Sequence, residues 1–207
     1  MEKTSLRVKA DNARNIRCCT LICVLENPTS IENIGTVIRN IDFLGISKLY
    51  IVSSKFTKNN FPELGRHNKN PSNMLYRTSV SAVQWVYIHH FSTTSECFEY
   101  LEKNNYSSLC TSPHIKEQTN LPLLSSNFTK YKKLAIWFGN ESHGISSEAI
   151  YKSQGCIQIE MCGIVESLNL AVCTGIILHF IASQRRQFSS SLHKRKSLEC
   201  SPTDSLL

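Results

Sequence analysis

A change of period near the start of this 207-residue chain constrains its fold more than any other feature. Thr20-Leu-Ile-Cys-Val-Leu is a short, β-rich apolar run ended by Asn27-Pro28, as expected of a strand buried on both faces. Directly afterwards the apolar residues fall at Ile34, Val37, Ile38 and Ile41. That spacing, i, i+3, i+4, i+7, puts one apolar stripe on a helix that Gly45 can close. Lys48-Leu-Tyr-Ile-Val then reads as a second strand. Strand, helix and strand within about 33 residues form a βαβ unit, which predicts a parallel sheet covered on both faces.

The alternation continues along the chain. Residues 53–75 are polar and contain Asn59-Asn60, Pro62, Gly65, Arg66, His67 and Asn70-Pro71, a loop long enough to be functional or mobile. Further strands are expected at Trp85–His89, Ser107–Thr111, Leu134–Phe138 and Cys156–Glu160, with a helix around Cys97, Phe98 and Leu101. The last helix, Leu168 to about Gln184, is apolar nearly all round and must be buried in the core or against another subunit. From about Ser189 the chain reads as a disordered basic tail. The expected organisation is a basic N-terminal extension over 1–17, one α/β domain over 18–184 and a basic tail over 185–207.

Composition bounds the function. With 41% apolar and 19% charged residues, the chain is neither disordered nor a coiled coil. Leu168 to Ala182, the longest apolar stretch, falls short of the ~20 residues that cross a bilayer as a helix. The start lacks the apolar core of a signal peptide, so the expected location is cytoplasmic. Nine cysteines with no Cys-x-x-Cys pair match neither a disulfide framework nor a metal site and read as reduced core residues. The net charge of +7 is uneven: residues 1–17 and 185–207 each carry +3, leaving +1 between them. Basic ends on a near-neutral body fit either contact with a polyanion such as nucleic acid or plain solvated tails.

Three loops at expected strand ends, where open parallel sheets bind ligands, carry residues suited to chemistry. The first leads into the helix Asn33-Ile-Gly-Thr-Val-Ile-Arg39-Asn40, whose apolar arc leaves Asn33, Thr36, Arg39 and Asn40 on the other side. The second is Gly139-Asn-Glu141-Ser-His-Gly-Ile-Ser146, a strand running into a Gly-x-Glu-x-x-Gly turn, with Ser146 or Ser147 placed to cap the next helix. The third runs from Ile159-Glu160-Met161 to Ser167-Leu168-Asn169, where Ser167 stands at the start of the last helix; a helix start suits a carboxylate. Neither Gly-x-Gly-x-x-Gly nor a Walker Gly-Lys-Ser/Thr occurs, which argues against a nicotinamide or flavin enzyme and against a nucleotide-phosphate site.

Together and in this order, Asn33-x5-Arg39, Gly139-x-Glu141-x-x-Gly144-Ile145-Ser146 and Ser167-Leu168-Asn169 resemble the signature of the SpoU (TrmH-like) branch of the SPOUT RNA methyltransferases. The resemblance covers roughly residues 20–184. Two departures stand out: Ile159-Glu160-Met161 replaces the family's usual Ile-Pro-Met, and the link from Pro28 to Asn33 is longer than usual. The resemblance implies a parallel-sheet α/β knot of the SPOUT trefoil type, a homodimer, and transfer of a methyl group from S-adenosyl-L-methionine to a ribose 2′-OH of transfer or ribosomal RNA, with no metal. By the same carry-over, Thr111, Gly139, Ile159 and Leu168 contact the cofactor. Asn33, Arg39, Glu141, Ser167 and Asn169 line the reaction site. The family's arginine has been proposed as the base, but a guanidinium with a pKa above ~12 stays charged. Arg39 is therefore read as a stabiliser of the ribose alkoxide or a clamp on the adjacent phosphate, oriented by Ser167 and Asn169, and Glu141 as an orienter. The alternative is a catalytically silent RNA-binding homologue with the same fold.

Overall fold

The computed structural model describes residues 8, 11–13, 17–56, 74–113 and 119–199. Most of the basic N-terminal extension and most of the loop at 53–75 lie outside the described residues. The elements follow in the order β1 (Cys18–Glu26), α1 (Ile31–Phe43), β2 (Ile46–Val52), α2 (Met74–Thr78), β3 (Tyr87–Phe91), α3 (Thr94–Lys103), β4 (Ser107–Thr111), β5 (Asn120–Pro122), β6 (Leu134–Phe138), α4 (Ser147–Lys152), β7 (Cys156–Gln158) and α5 (Leu170–Glu199). All seven strands join one sheet in the order β3-β2-β1-β6-β4-β7-β5, and every pairing is parallel.

The sheet is covered on both faces, as the runs of apolar residues require. Successive side chains of a strand point to opposite faces, yet Leu21 through Leu25 are all fully buried. Leu21, Cys23 and Leu25 join Leu49, Ile51, Ile136 and Phe138 in the layer under α1 and α5. Ile22 and Val24 join Tyr50, Val52, Ala135 and Trp137 in the layer under α3 and α4. In α1 the stripe Ile34, Val37, Ile38 and Ile41 is buried, and the Ser30 hydroxyl caps the helix by accepting the Asn33 N–H. Gly45, at φ 73°, closes it.

Sequence and structure differ at several points. The third strand is Tyr87–Phe91, two residues later than expected, and β7 ends at Gln158. β5 spans only three residues, too few for a visible alternation. The last helix does not end near Gln184. It runs to Glu199, so the segment from Ser189 to Glu199 is helical and not a disordered tail. No Gly or Pro occurs between Gln184 and Glu199, and a helix already nucleated extends one residue at a time without a second nucleation cost.

Arg185 and Arg186 belong to the folded body and not to a free basic end. Arg185 donates to the carbonyls of Phe128, Tyr131 and Lys132 and to Thr20 Oγ1, at 2.6–3.3 Å, while Arg186 donates to the Leu44 carbonyl at 2.8 Å. Helix α5 also has two sides. Leu170, Ala171, Thr174, Ile177, Leu178, Ile181 and Ala182 are buried, whereas Val172 and Ile176 are 50% and 42% exposed. Among the described residues no helix is long and apolar enough to cross a membrane.

Candidate active site

Strands β6, β4 and β7 lie side by side, and the segments leaving their carboxyl ends enclose a cavity of about 500 Å³. Thr111, Gly139, Ile159 and Leu168, the four residues expected at a cofactor, all line it. Glu141 and Ser167 line it too. The floor is apolar, made by Phe138, Ile157, Leu170 and Ile177. The volume lies within the ~300–1,000 Å³ typical of small-molecule sites.

The wall after β6 is built by two glycines and an asparagine. Asn140 and Gly144 exchange both backbone hydrogen bonds, at 2.8 and 2.9 Å, folding residues 139–145 back on themselves. Gly144 sits at φ 69°, a conformation glycine adopts without a Cβ penalty. A Cβ on Gly139 would overlap the backbone of Gly144 and Ile145. Asn140 fixes the turn from inside: its Oδ1 accepts the N–H groups of Ser142 and His143 at 2.8 and 3.0 Å, and its Nδ2 donates to the Asn27 carbonyl at 2.6 Å.

Glu141 joins this wall to α1. Its carboxylate accepts the Thr29 N–H at 3.0 Å, the Thr29 hydroxyl at 2.9 Å, the Ser30 N–H at 3.3 Å and Asn33 Nδ2 at 2.9 Å. Partial burial pushes its pKa up, but the hydrogen bonds from Asn33 and Thr29 outweigh that and hold it below the usual carboxylate range. Asn33 in turn accepts Asn169 Nδ2 at 3.1 Å. Asn33 thus joins two segments that lie 108 and 136 residues beyond it in one hydrogen-bonded chain, Asn169 to Asn33 to Glu141.

Two expected placements change. Ser167 does not start the helix; Asn169 does, its Oδ1 accepting the Ala171 and Val172 N–H groups at 2.9 and 3.4 Å. Both residue types cap well, and the bond from Asn169 to Asn33 selects the later one. Arg39 stands apart. It lies six residues beyond Asn33, about 9 Å further along the helix axis, is exposed, and forms no hydrogen bond or ion pair with the described residues. Its neighbour Asn40 donates to the Ala171 carbonyl at 2.9 Å, tying α1 to α5.

Glu26, Thr29, Ser30 and Asn140 are supporting residues that the motifs alone do not single out. Glu26 is buried at the end of β1 and accepts Thr94 Oγ1 at 2.6 Å, Ser146 N–H at 2.8 Å and Ser146 Oγ at 2.7 Å. It holds the far end of the 139–146 loop to the first turns of α3 and α4. Its signal in the sequence was a charge closing a run of five apolar residues.

A parallel α/β sheet with one cavity across three neighbouring strand ends, walled by loops rather than by a glycine-rich phosphate turn, defines a binding site for a small organic molecule with an apolar body. The chain belongs to the SpoU rRNA Methylase family, which matches residues 20–179. It is 25% identical over 183 residues to the tRNA (guanosine(18)-2′-O)-methyltransferase of Borreliella burgdorferi, covering 88% of this chain and 75% of that protein. Its fold is similar to the A. aeolicus TrmH/SpoU tRNA modifying enzyme, with a TM-score of 0.72 at 23% identity over 90% of this chain and 87% of that one. It is also similar to the SpoU methyltransferase AviRb from Streptomyces viridochromogenes in complex with AdoMet, with a TM-score of 0.67 at 21% identity over 82% and 59% of the two chains.

Proposed function

We propose that this protein transfers the methyl group of S-adenosylmethionine to a ribose 2′-OH of RNA. Transfer RNA, the substrate named for the Borreliella relative, is the first to be tested. The observation that carries the reading is the Asn169–Asn33–Glu141 chain at the mouth of a cavity lined by Thr111, Gly139, Ile159 and Leu168. A silent RNA-binding homologue has no need to keep both the cavity and this junction.

The cavity suits the cofactor. Its apolar floor would hold the adenine and the methionine methylenes, and residues 160–168 form no hydrogen bonds of their own among the described residues, which leaves their amides to meet the cofactor's polar groups. When bound, the cofactor supplies an activated methyl group. The protein's task is then to favour and align the ribose alkoxide. Arg39 stabilises that charge or clamps the neighbouring phosphate. Glu141, saturated by four donors, acts as an orienter that fixes Asn33, with Ser167 and Asn169 facing the reacting sugar.

A homodimer completes this reading. Val172 and Ile176 on α5 and Ile164 and Val165 in the preceding segment are all exposed, and a second copy would cover them. The trefoil knot belongs to the proposal as well, supported by β6 inserting between β1 and β4 before the chain returns to β7. Lys194, Arg195 and Lys196 and the basic residues of 1–17 are proposed to meet RNA phosphates, and a cytoplasmic location suits the free thiols.

Calorimetry with S-adenosylmethionine and NADH, followed by methylation of transfer and ribosomal RNA, tests the reading. The expected results are binding of the former only and label on a ribose 2′-oxygen. Arg39→Ala should lower the transfer rate about 10²–10³-fold with cofactor affinity nearly unchanged. Full activity in that variant would remove Arg39 from the site.

A further inference from the structure

Methyl transfer to a hydroxyl releases a proton, and a permanently charged Arg39 cannot take it. Among the described residues, the carboxylate and imidazole side chains lining the cavity are those of Glu141, His143 and Glu166. Glu141 is spent: four donors converge on it and keep it a weak base. Glu166 stands in the segment that forms no hydrogen bonds among the described residues, so none of them orients it.

His143 is oriented, and its tautomer follows from chemistry. Asn140 Nδ2 faces the Asn27 carbonyl, which can only accept, and Asn140 Oδ1 faces two backbone N–H groups, which can only donate. The amide orientation is therefore fixed. His143 Nδ1 lies 3.2 Å from that same Oδ1, an atom with no proton to give, so Nδ1 carries the hydrogen. In a neutral imidazole the other nitrogen, Nε2, is then a bare lone pair. The ring is exposed on the cavity wall, and its supporting amide is anchored to the end of β1.

Resting on the methyltransferase reading, we propose that His143 Nε2 accepts the ribose 2′-OH proton during transfer. The O–H bond breaks and its proton passes to Nε2. The 2′-oxygen pair forms the new O–CH₃ bond as the CH₃–S bond breaks and leaves its pair on sulfur. The positive charge that begins on the sulfonium ends on the imidazolium, so charge balances. Asn140 is the positioning residue, and its Oδ1 favours the imidazolium as it forms.

Among the described residues, the charged groups on the elements around the ring are the following. Glu141 in the same loop is turned to α1, and Glu166 lines the same cavity. Glu26 lies beneath, bound by Thr94 and Ser146. Glu148 on α4 is paired with Lys152, and Arg39 is on α1.

Two measurements test this. In the protein without RNA, ¹⁵N imidazole NMR, assigned with His143→Gln, should show Nδ1 protonated and Nε2 bare at the alkaline end of the titration; the opposite tautomer overturns the proposal. Single-turnover transfer at saturating cofactor and RNA should rise with pH through the range where imidazoles titrate, about 5 to 8. His143→Gln should lose about 10²-fold or more in rate and lose that rise, with cofactor and RNA affinities within about threefold. A His143→Gln rate matching wild type overturns the proposal, as does a pH rise that disappears in Glu166→Gln and not in His143→Gln. A wild-type protein that methylates no RNA overturns the methyltransferase reading itself, a failure distinct from an active wild type matched by its variant.

Discussion

The two loops facing each other across the cavity are built on opposite plans. Residues 139–146 are pinned at every turn: a paired Asn140–Gly144 bridge, Asn140 on the end of β1, Glu141 on the start of α1, and Ser146 on the buried Glu26. Residues 160–168 have no hydrogen bonds among the described residues, and they expose Ile164 fully and Val165 by 67%. One wall is held by hydrogen bonds throughout and the other by none among the described residues. Such a division places binding specificity in the rigid wall and admission in the loose one.

Substitutions that break the rigid wall should cost most. Gly139→Ala, whose Cβ has only backbone to displace, should lower stability by about 3 kcal/mol and weaken cofactor binding, measured by denaturant unfolding and calorimetry. Glu26→Ala strands the Ser146 N–H and two hydroxyls in the interior and should cost about 2–3 kcal/mol; Glu26→Gln, which keeps the shape, should cost less.

A pH series on Glu141→Gln sharpens the comparison further. A carboxylate with a depressed pKa in the folded state contributes stability that is present above its ordinary value and lost as pH falls through the folded one. The melting temperature of wild type should therefore exceed that of Glu141→Gln at neutral pH. The gap should close as pH falls below the ordinary carboxylate range. On the loose wall, Ile164→Ser and Val165→Ser should change monomer stability by less than about 0.5 kcal/mol while weakening self-association in sedimentation. A large loss of monomer stability there would show that the loops are not built differently.

Much of the rigid wall was legible in the chain and little of the loose one. Periodicity alone located β1, α1 and β2, because a stripe at Ile34, Val37, Ile38 and Ile41 and a run buried on both faces have few other solutions. The three motifs named Glu141, Asn33 and Asn169. Which groups Glu141 would bond could not be read locally, since Thr29 and Asn33 precede it by 112 and 108 residues. Tertiary context likewise decided between Ser167 and Asn169 as helix start. The helix beyond Gln184 was hidden for a local reason: composition there spoke only of charge, while the absence of Gly and Pro let an established helix continue.

Arg185 has a consequence for the order in which this protein can be completed. It reaches Thr20 across 165 residues and binds three carbonyls in the segment before β6, so the first strand and the approach to a central one are clasped only after a side chain 165 residues further along has been made. N-terminal regions begin to fold as they emerge from the ribosome, but contacts this distant in sequence close late and slowly. A nascent chain stalled before Arg185 would hold β1 without its closing clasp. The clasp across β1 and the approach to β6 is therefore a late event in folding.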